Sequence, residues 1–177
     1  IPLAITILIN HVITFRTLSI ILSIFLKKPG SSSLIQVVIN LIPLVMETVV
    51  GMRPKINVYG YDYNTKDGTG VRDYVHVSDL AKAHIDSIEY IHSKDKDLTV
   101  NLGTGTGYSV LDIIKKVEKI SRKNIEYCVV NRRSGDPDTL IAKADLAKSL
   151  IGWDGQYSDL DTIIKSTWEM YKTVIQE

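Results

Sequence analysis

The chemistry this sequence can offer turns on its arginines. Arg72 lies in an alternating stretch and Arg132-Arg133 in a later loop, with Asp136 three residues beyond Arg133. A guanidinium fork matches two phosphate oxygens, and each charge-assisted bond contributes roughly 1.5–3 kcal/mol. A carboxylate accepts from the paired hydroxyls of a ribose. Brought together, these groups suit one pyrophosphate and one ribose diol. From spacing alone, ordinary surface ion pairs remain the simpler reading.

Two other spacings suggest chemistry and then fall short of it. Gly103-Thr104-Gly105-Thr106-Gly107 follows an expected strand and precedes an expected helix, where a dinucleotide-binding loop would sit. That loop requires G-x-G-x-x-G and an acidic residue about twenty positions on, at the end of the next strand. Here the pattern is G-x-G-x-G and the next strand begins near Ile125, so the segment reads as a glycine turn leading to Ser109 as a helix cap. Tyr90-Ile91-His92-Ser93-Lys94 has the Y-x-x-x-K spacing that puts a phenol and a lysine on one helix face. Lys94 opens the charged run Lys94-Asp95-Lys96-Asp97, and the segment reads as an exposed helix tail.

The elements that must position the arginines are short and closely spaced. Asn40 precedes the run Leu41–Val50 as a cap, Pro43 falls in the first turn, and Gly51 and Pro54 close the helix. Lys55–Tyr59 alternates as a strand and stops at Gly60. Residues 60–70 carry turn chemistry and few apolar anchors, which predicts an exposed loop. Val71–Val77 alternates again and runs into Ser78-Asp79, the expected cap of a helix over Leu80–Ile91. Strands are expected over Leu98–Leu102 and Ile125–Val130 and a helix over Ser109–Ile120. Two further helices, near 143–150 and 158–174, should flank Gly152-Trp153. The layout is mixed α/β without an internal repeat.

The 177 residues are 45% apolar, 7% aromatic and 23% charged, which fits a globular domain and excludes collagen, a coiled coil and simple disorder. Twenty-one basic residues against twenty acidic ones leave a net charge of +1. Nothing in that balance suggests a broad electrostatic grip on nucleic acid or anionic lipid, so an anion must be met locally. Cys128 is the single cysteine, and His11, His76, His84 and His92 are scattered. The expectation is a reducing, cytoplasmic setting without an internal disulfide or a structural metal.

The first fifty residues differ from the rest, holding three basic residues and one acid. Apolar runs occupy Ile1–Ile9 and Leu18–Leu26, followed by Lys27-Lys28-Pro29-Gly30 and three serines. Three readings compete: a stretch produced by a shifted or truncated reading frame, a weak membrane anchor, and a buried helix pair. A span of the bilayer would carry Asn10, His11 and Arg16 in its middle, at about 2.5–3.5 kcal/mol for the arginine alone. A signal peptide would place its charges before the apolar core rather than after it.

The run Asp67-Gly68-Thr69-Gly70-Val71-Arg72-Asp73-Tyr74-Val75-His76-Val77-Ser78-Asp79-Leu80 closely resembles the D-G-T-x-x-R-D-Y-[IV]-H-V-x-D-L signature of the UDP-glucose 4-epimerase family. The similarity continues through Asn101–Val110, through Arg132-Arg133-Ser134-Gly135-Asp136-Pro137 and through Leu150-Ile151-Gly152-Trp153, and Asn40-Leu41-Ile42-Pro43 looks like the family's N-L-x-P helix opening. It covers about residues 40–177. It implies an α/β fold: the C-terminal, UDP-sugar-binding lobe of an extended short-chain dehydrogenase/reductase, with the Rossmann core missing. Residues 1–39 remain an unassigned apolar segment.

The resemblance implies an isomerase of galactose metabolism that interconverts UDP-glucose and UDP-galactose. In the family, NAD takes a hydride from C4 and returns it to the opposite face, while a lysine-tuned tyrosine moves the hydroxyl proton. The NAD loop and that tyrosine belong to the family's Rossmann domain. No catalytic or NAD-binding residue is therefore expected in this chain, which should be inactive alone. Carried over position by position, Arg72 and Arg133 would clamp the diphosphate and Asp136 would accept from the uridine ribose. Asn40 and Leu41 would meet the same nucleotide at a helix opening, Asn57, Val58 and Tyr59 would line the uracil slot, and Leu140 would stand on the sugar side. Asp73, Tyr74, His76 and Asp79 are expected as supports or caps. The implied partner is a UDP-hexose, and the family forms homodimers. Two alternatives stay open: another nucleotide-sugar epimerase or dehydratase, and a noncatalytic nucleotide-sugar-binding module.

Overall fold

The computed structural model describes residues 5–9 and 40–175. Among them the strands are β1 (Ile5–Ile9), β2 (Ile56–Tyr59), β3 (Val71–Asp73), β4 (Leu98–Leu102), β5 (Gly107–Ser109), β6 (Tyr127–Val130) and β7 (Thr139–Leu140). The helices are α1 (Leu41–Val49), α2 (Val77–Lys94), α3 (Val110–Ser121), α4 (Asp145–Ile151) and α5 (Leu160–Ile175). β1 pairs with β4 and β2 with β6, both parallel. β3 is central to a third sheet, antiparallel to β5 and parallel to β7.

Two apolar clusters hold these pieces. In the first, α1 buries Ile42, Val45, Met46 and Val49, a spacing of three and four residues that lines one helix face. That face meets Ile56 and Val58 of β2, Ile113, Ile114 and Val117 of α3, and Ile163, Ile164 and Trp168 of α5. In the second, Leu98, Val100 and Leu102 of β4 pack against Leu80, Ala83 and Ile91 of α2 and Ala147 and Ile151 of α4. Trp153 closes this cluster, and its indole N–H donates to the Gly103 carbonyl at 2.8 Å.

The element boundaries follow the side chains that satisfy helix ends. Ser109 caps α3 as expected, in a reciprocal box with Asp112. Pro43 falls in the first turn of α1, where its missing N–H costs nothing. Asn40 has the extended backbone of a cap, but its side chain makes no capping bond.

The second helix corrects the sequence reading: α2 runs from Val77 to Lys94, longer at both ends than Leu80–Ile91. His76 is its cap, with Nδ1 accepting from the Ser78 N–H at 3.1 Å. Asp79 is spent elsewhere, accepting from the Tyr157 N–H and the Ser158 hydroxyl. Accordingly β3 stops at Asp73 rather than reaching Val77. Tyr90 and Lys94 lie on the last turns of α2, with Lys94 exposed and the chain leaving through a left-handed Asp95.

The loop of residues 60–70 is anchored rather than loose. Tyr63 is 5% exposed and Thr69 fully buried. Arg132 lies over the Tyr63 ring at 4.0 Å. Gly60 has φ +84°, and a side chain there would meet the Tyr63 ring at 2.6 Å, so glycine is required on both counts. Asp67 accepts from the N–H and hydroxyl of Thr69 and from the hydroxyl of Ser109. Burial works against the Asp67 charge, but the bonds from Ser109 and Thr69 prevail and hold its carboxyl below the usual range. A carboxylate with a depressed folded-state pKa stabilises above its unfolded pKa, and the effect is lost as pH falls through the folded value. We expect Asp67→Asn to lower stability by roughly 1–3 kcal/mol at pH 7 and to flatten the loss of stability below about pH 4, read from urea midpoints across that range.

Of residues 1–39, Ile5–Ile9 form β1, in register from Ile5 opposite Leu98 to Ile9 opposite Leu102. The helical alternative for the opening therefore does not hold there, because β-branched Ile and Thr suit a strand and β4 supplies the partner. The rest of that stretch, with the shifted-frame and anchor readings, lies outside the described residues.

Candidate functional site

The site builds outward from the sheet of β5, β3 and β7. Arg72 stands on β3 opposite Tyr108 on one side and Leu140 on the other. Register partners project from one face, so Arg72 and the half-buried Leu140 share a face of this sheet. Arg72 Nη1 donates to the Val71 carbonyl at 2.8 Å, and Nη2 lies 3.5 Å from the Asp136 carboxylate. With its side chain only 13% exposed, this guanidinium is aimed rather than free.

Asp136 links Arg72 to the loop that follows β6. Its N–H donates to the Arg133 carbonyl at 3.4 Å, closing a turn through Gly135 at φ +81°. The guanidinium of Arg133 lies over the ring of Tyr59, 3.9 Å from its centroid. The arginine, followed by the Asn57 amide, holds the Tyr59 phenol below its ordinary value. Arg132 belongs to the scaffold: besides covering Tyr63, it donates to Asp138 at 2.6 Å and to the Asp136 carbonyl at 3.2 Å. The adjacent arginines thus divide their work, one bracing the loop and one reaching the β2 surface.

On β2, alternation decides what each residue can offer. Ile56 and Val58 point inward, while Asn57 and Tyr59 are exposed. Val58 is fully buried in the first cluster, so its side chain cannot line a slot and only its backbone remains. Asn57 lies opposite Cys128 on β6, and its Oδ1 accepts from the thiol at 3.0 Å. Cys128 is a contributor to this surface that the sequence did not single out, since it has no local signal, whereas Arg132, grouped with Arg133 in the sequence, braces the loop. Asn40 and Leu41 stand at the opening of α1. Among the described residues no hydrogen bond or ion pair joins them to Arg72, Arg133 or Asp136.

The glycine turn has its own anion. The carboxylate of Asp73, 2% exposed, accepts from the Thr104 N–H at 2.9 Å, the Thr104 hydroxyl at 2.6 Å and the Gly105 N–H at 3.3 Å. A Cβ on Gly103 would come within 2.6 Å of that carboxylate. The N–H groups that a dinucleotide pyrophosphate would need are already paired, so this loop does not fit NAD. Burial pushes the neighbouring Tyr74 phenol up, leaving it a neutral core residue rather than an acid or base. Among the described residues no group of three or more His, Cys, Asp or Glu could hold a metal ion, and no helix is long and apolar enough to cross a membrane.

A family model described as GDP-mannose 4,6 dehydratase matches residues 4–167. The chain belongs to this family. Among its relatives is the UDP-glucose 4-epimerase of Streptococcus mutans serotype c, 42% identical over 134 residues, which make up 76% of this chain and 40% of that protein. A solved UDP-glucose 4-epimerase from Stenotrophomonas maltophila, with bound NAD and formylated UDP-arabinopyranose, superposes with a TM-score of 0.73 at 35% identity. The match covers 85% of this chain and 43% of that one. The Bifidobacterium longum enzyme in complex with NAD+ and UDP gives 0.70 at 43% identity, over 76% and 39%. The chain spans about two fifths of the length of the relatives it matches. The resemblance drawn from the Asp67–Leu80 signature holds, as does the α/β fold of a partial extended short-chain dehydrogenase/reductase.

Proposed function

We propose that this chain forms the UDP-sugar-binding lobe of a UDP-glucose 4-epimerase. Tyr59 offers its aromatic face to the uracil, with Asn57 beside it and the Val58 backbone completing the edge. Arg72 and Arg133 grip the diphosphate from two sides, and Asp136, standing between them, accepts from the ribose hydroxyls. Leu140, on the same face as Arg72, borders the hexose, and Asn40 and Leu41 approach the nucleotide from the α1 opening. The observation that carries this reading is the bridge made by Asp136, which ties two arginines far apart in sequence into one patch beside the Tyr59 ring.

Solved relatives hold NAD, and on this reading it would supply the hydride chemistry at C4. The residues described here bind and orient the nucleotide and leave the reacting carbon to groups outside them. The setting is cytoplasmic and the working assembly a homodimer of longer chains. A second reading, a dehydratase acting on a guanosine diphosphate sugar, is favoured by the description of the matching family model. Calorimetric titration with UDP-glucose, UDP, GDP and GDP-mannose separates the two. The epimerase reading expects UDP and UDP-glucose to bind at least about tenfold tighter than the guanosine compounds, since purine and pyrimidine present different edges to Asn57. Equal affinities, or a preference for guanosine, would overturn it.

A further inference from the structure

Of the three arginines around the site, Arg133 is held differently from the others. Arg72 has Asp136 and Arg132 has Asp138, whereas among the described residues Arg133 has no carboxylate partner and rests on the ring of Tyr59. At 3.9 Å from the centroid, its guanidinium fills the layer in which a flat base would stack on that ring. The two cannot share that face. The nucleotide reading nevertheless asks Arg133 to bind phosphate and Tyr59 to bind the base.

We propose that Arg133 is a diphosphate-operated cover of the base subsite: it lies on Tyr59 in the unliganded protein, and the diphosphate draws it off and opens the ring to the nucleobase. This rests on the nucleotide reading above. The magnitudes favour the exchange. A cation over an exposed aromatic ring is worth about two- to fivefold in an equilibrium, and a charge-assisted bond to phosphate roughly ten- to a hundredfold. Phosphate therefore wins the guanidinium whenever it is present. The movement required is small, because the Arg133 backbone is fixed by the Asp136 turn and only an exposed side chain swings. The two halves of the ligand then help one another, since whatever neutralises Arg133 removes the obstacle to the base.

The test uses the protein with 13C-labelled tyrosine, the Tyr59 ring signals being assigned with Tyr59→Phe. Inorganic pyrophosphate is added first, then uridine. Saturating pyrophosphate is expected to move the Tyr59 signals toward those seen in Arg133→Ala and to tighten uridine binding about two- to fivefold. In Arg133→Ala that enhancement should vanish, because the ring is already uncovered. Tyr59 signals that ignore bound pyrophosphate, or uridine binding that is unchanged or weakened by it, would overturn the proposal. A parallel titration with UDP keeps the two failures apart. If UDP gives no binding, the nucleotide reading itself falls and this proposal with it. If UDP binds while the ring ignores pyrophosphate, the cover alone falls.

Discussion

Arg133→Ala is expected to weaken UDP binding by roughly 10- to 100-fold, the worth of a charge-assisted bond to phosphate. The fold should survive, because the side chain is exposed and rests on Tyr59, itself an exposed residue. A urea midpoint close to wild type, alongside the lost affinity, identifies a binding residue rather than a structural one. Arg132→Ala is the contrasting variant. Its guanidinium joins Asp138, after β6, to Tyr63 of the 60–70 loop, so its removal should lower stability by about 0.5–2 kcal/mol while UDP affinity changes about threefold or less. Calorimetry on the two variants side by side checks the division of labour between adjacent arginines. Equal losses of affinity would contradict it.

The largest effect on stability should come from Asp73. Its carboxylate satisfies two backbone N–H groups and a hydroxyl at the glycine turn while 2% exposed, and alanine would remove the acceptor from all three, leaving the Thr104 hydroxyl only its longer bond to the Thr106 carbonyl. Thr104 is half-buried and Gly105 exposed, so water can meet part of what is lost, and we expect Asp73→Ala to cost roughly 2–4 kcal/mol through the hydrogen bonds to this buried carboxylate. Against a total of about 5–15 kcal/mol for a domain of ordinary stability, that is a large share. Asp73→Asn keeps one acceptor oxygen and should lose about half as much. Urea denaturation with an unchanged slope for the asparagine variant would show that the fold is weakened rather than rearranged. If alanine costs less than about 1 kcal/mol, the turn is held by something other than this carboxylate.

How far the sequence could be read depended on the distance between partners. β4 was legible to the residue, because Leu98, Val100 and Leu102 alternate with polar neighbours. The Ser109 cap was legible because its reciprocal partner Asp112 lies three residues on. The cap of α2 was misplaced because Asp79 has the chemistry of a cap but is committed to Tyr157 and Ser158, 78 and 79 residues away. The anchoring of residues 60–70 was missed for the same reason, since Tyr63 is covered by Arg132 and Asp67 is met by Ser109. Within the site, the inward turn of Val58 is already set by the alternation of residues 56–59, which opposes a slot-lining role for its side chain. No local pattern could have placed Cys128 against Asn57.

That last pairing has a bearing on how the molecule assembles. Asn57 and Cys128 face one another across 71 residues of chain, and each of the three sheets joins strands that are far apart in sequence. Such topologies pay loop-closure entropy before contacts repay it, so folding is slow and leaves strand edges open on the way. The helices α1, α2, α3 and α5 can form early from local contacts, while the ring, the arginines and the carboxylate of the site meet only when the last strands close. On the function proposed above, a nucleotide can therefore recognise only the finished protein. Its presence during refolding should raise the final yield by mass action while leaving the early rate untouched.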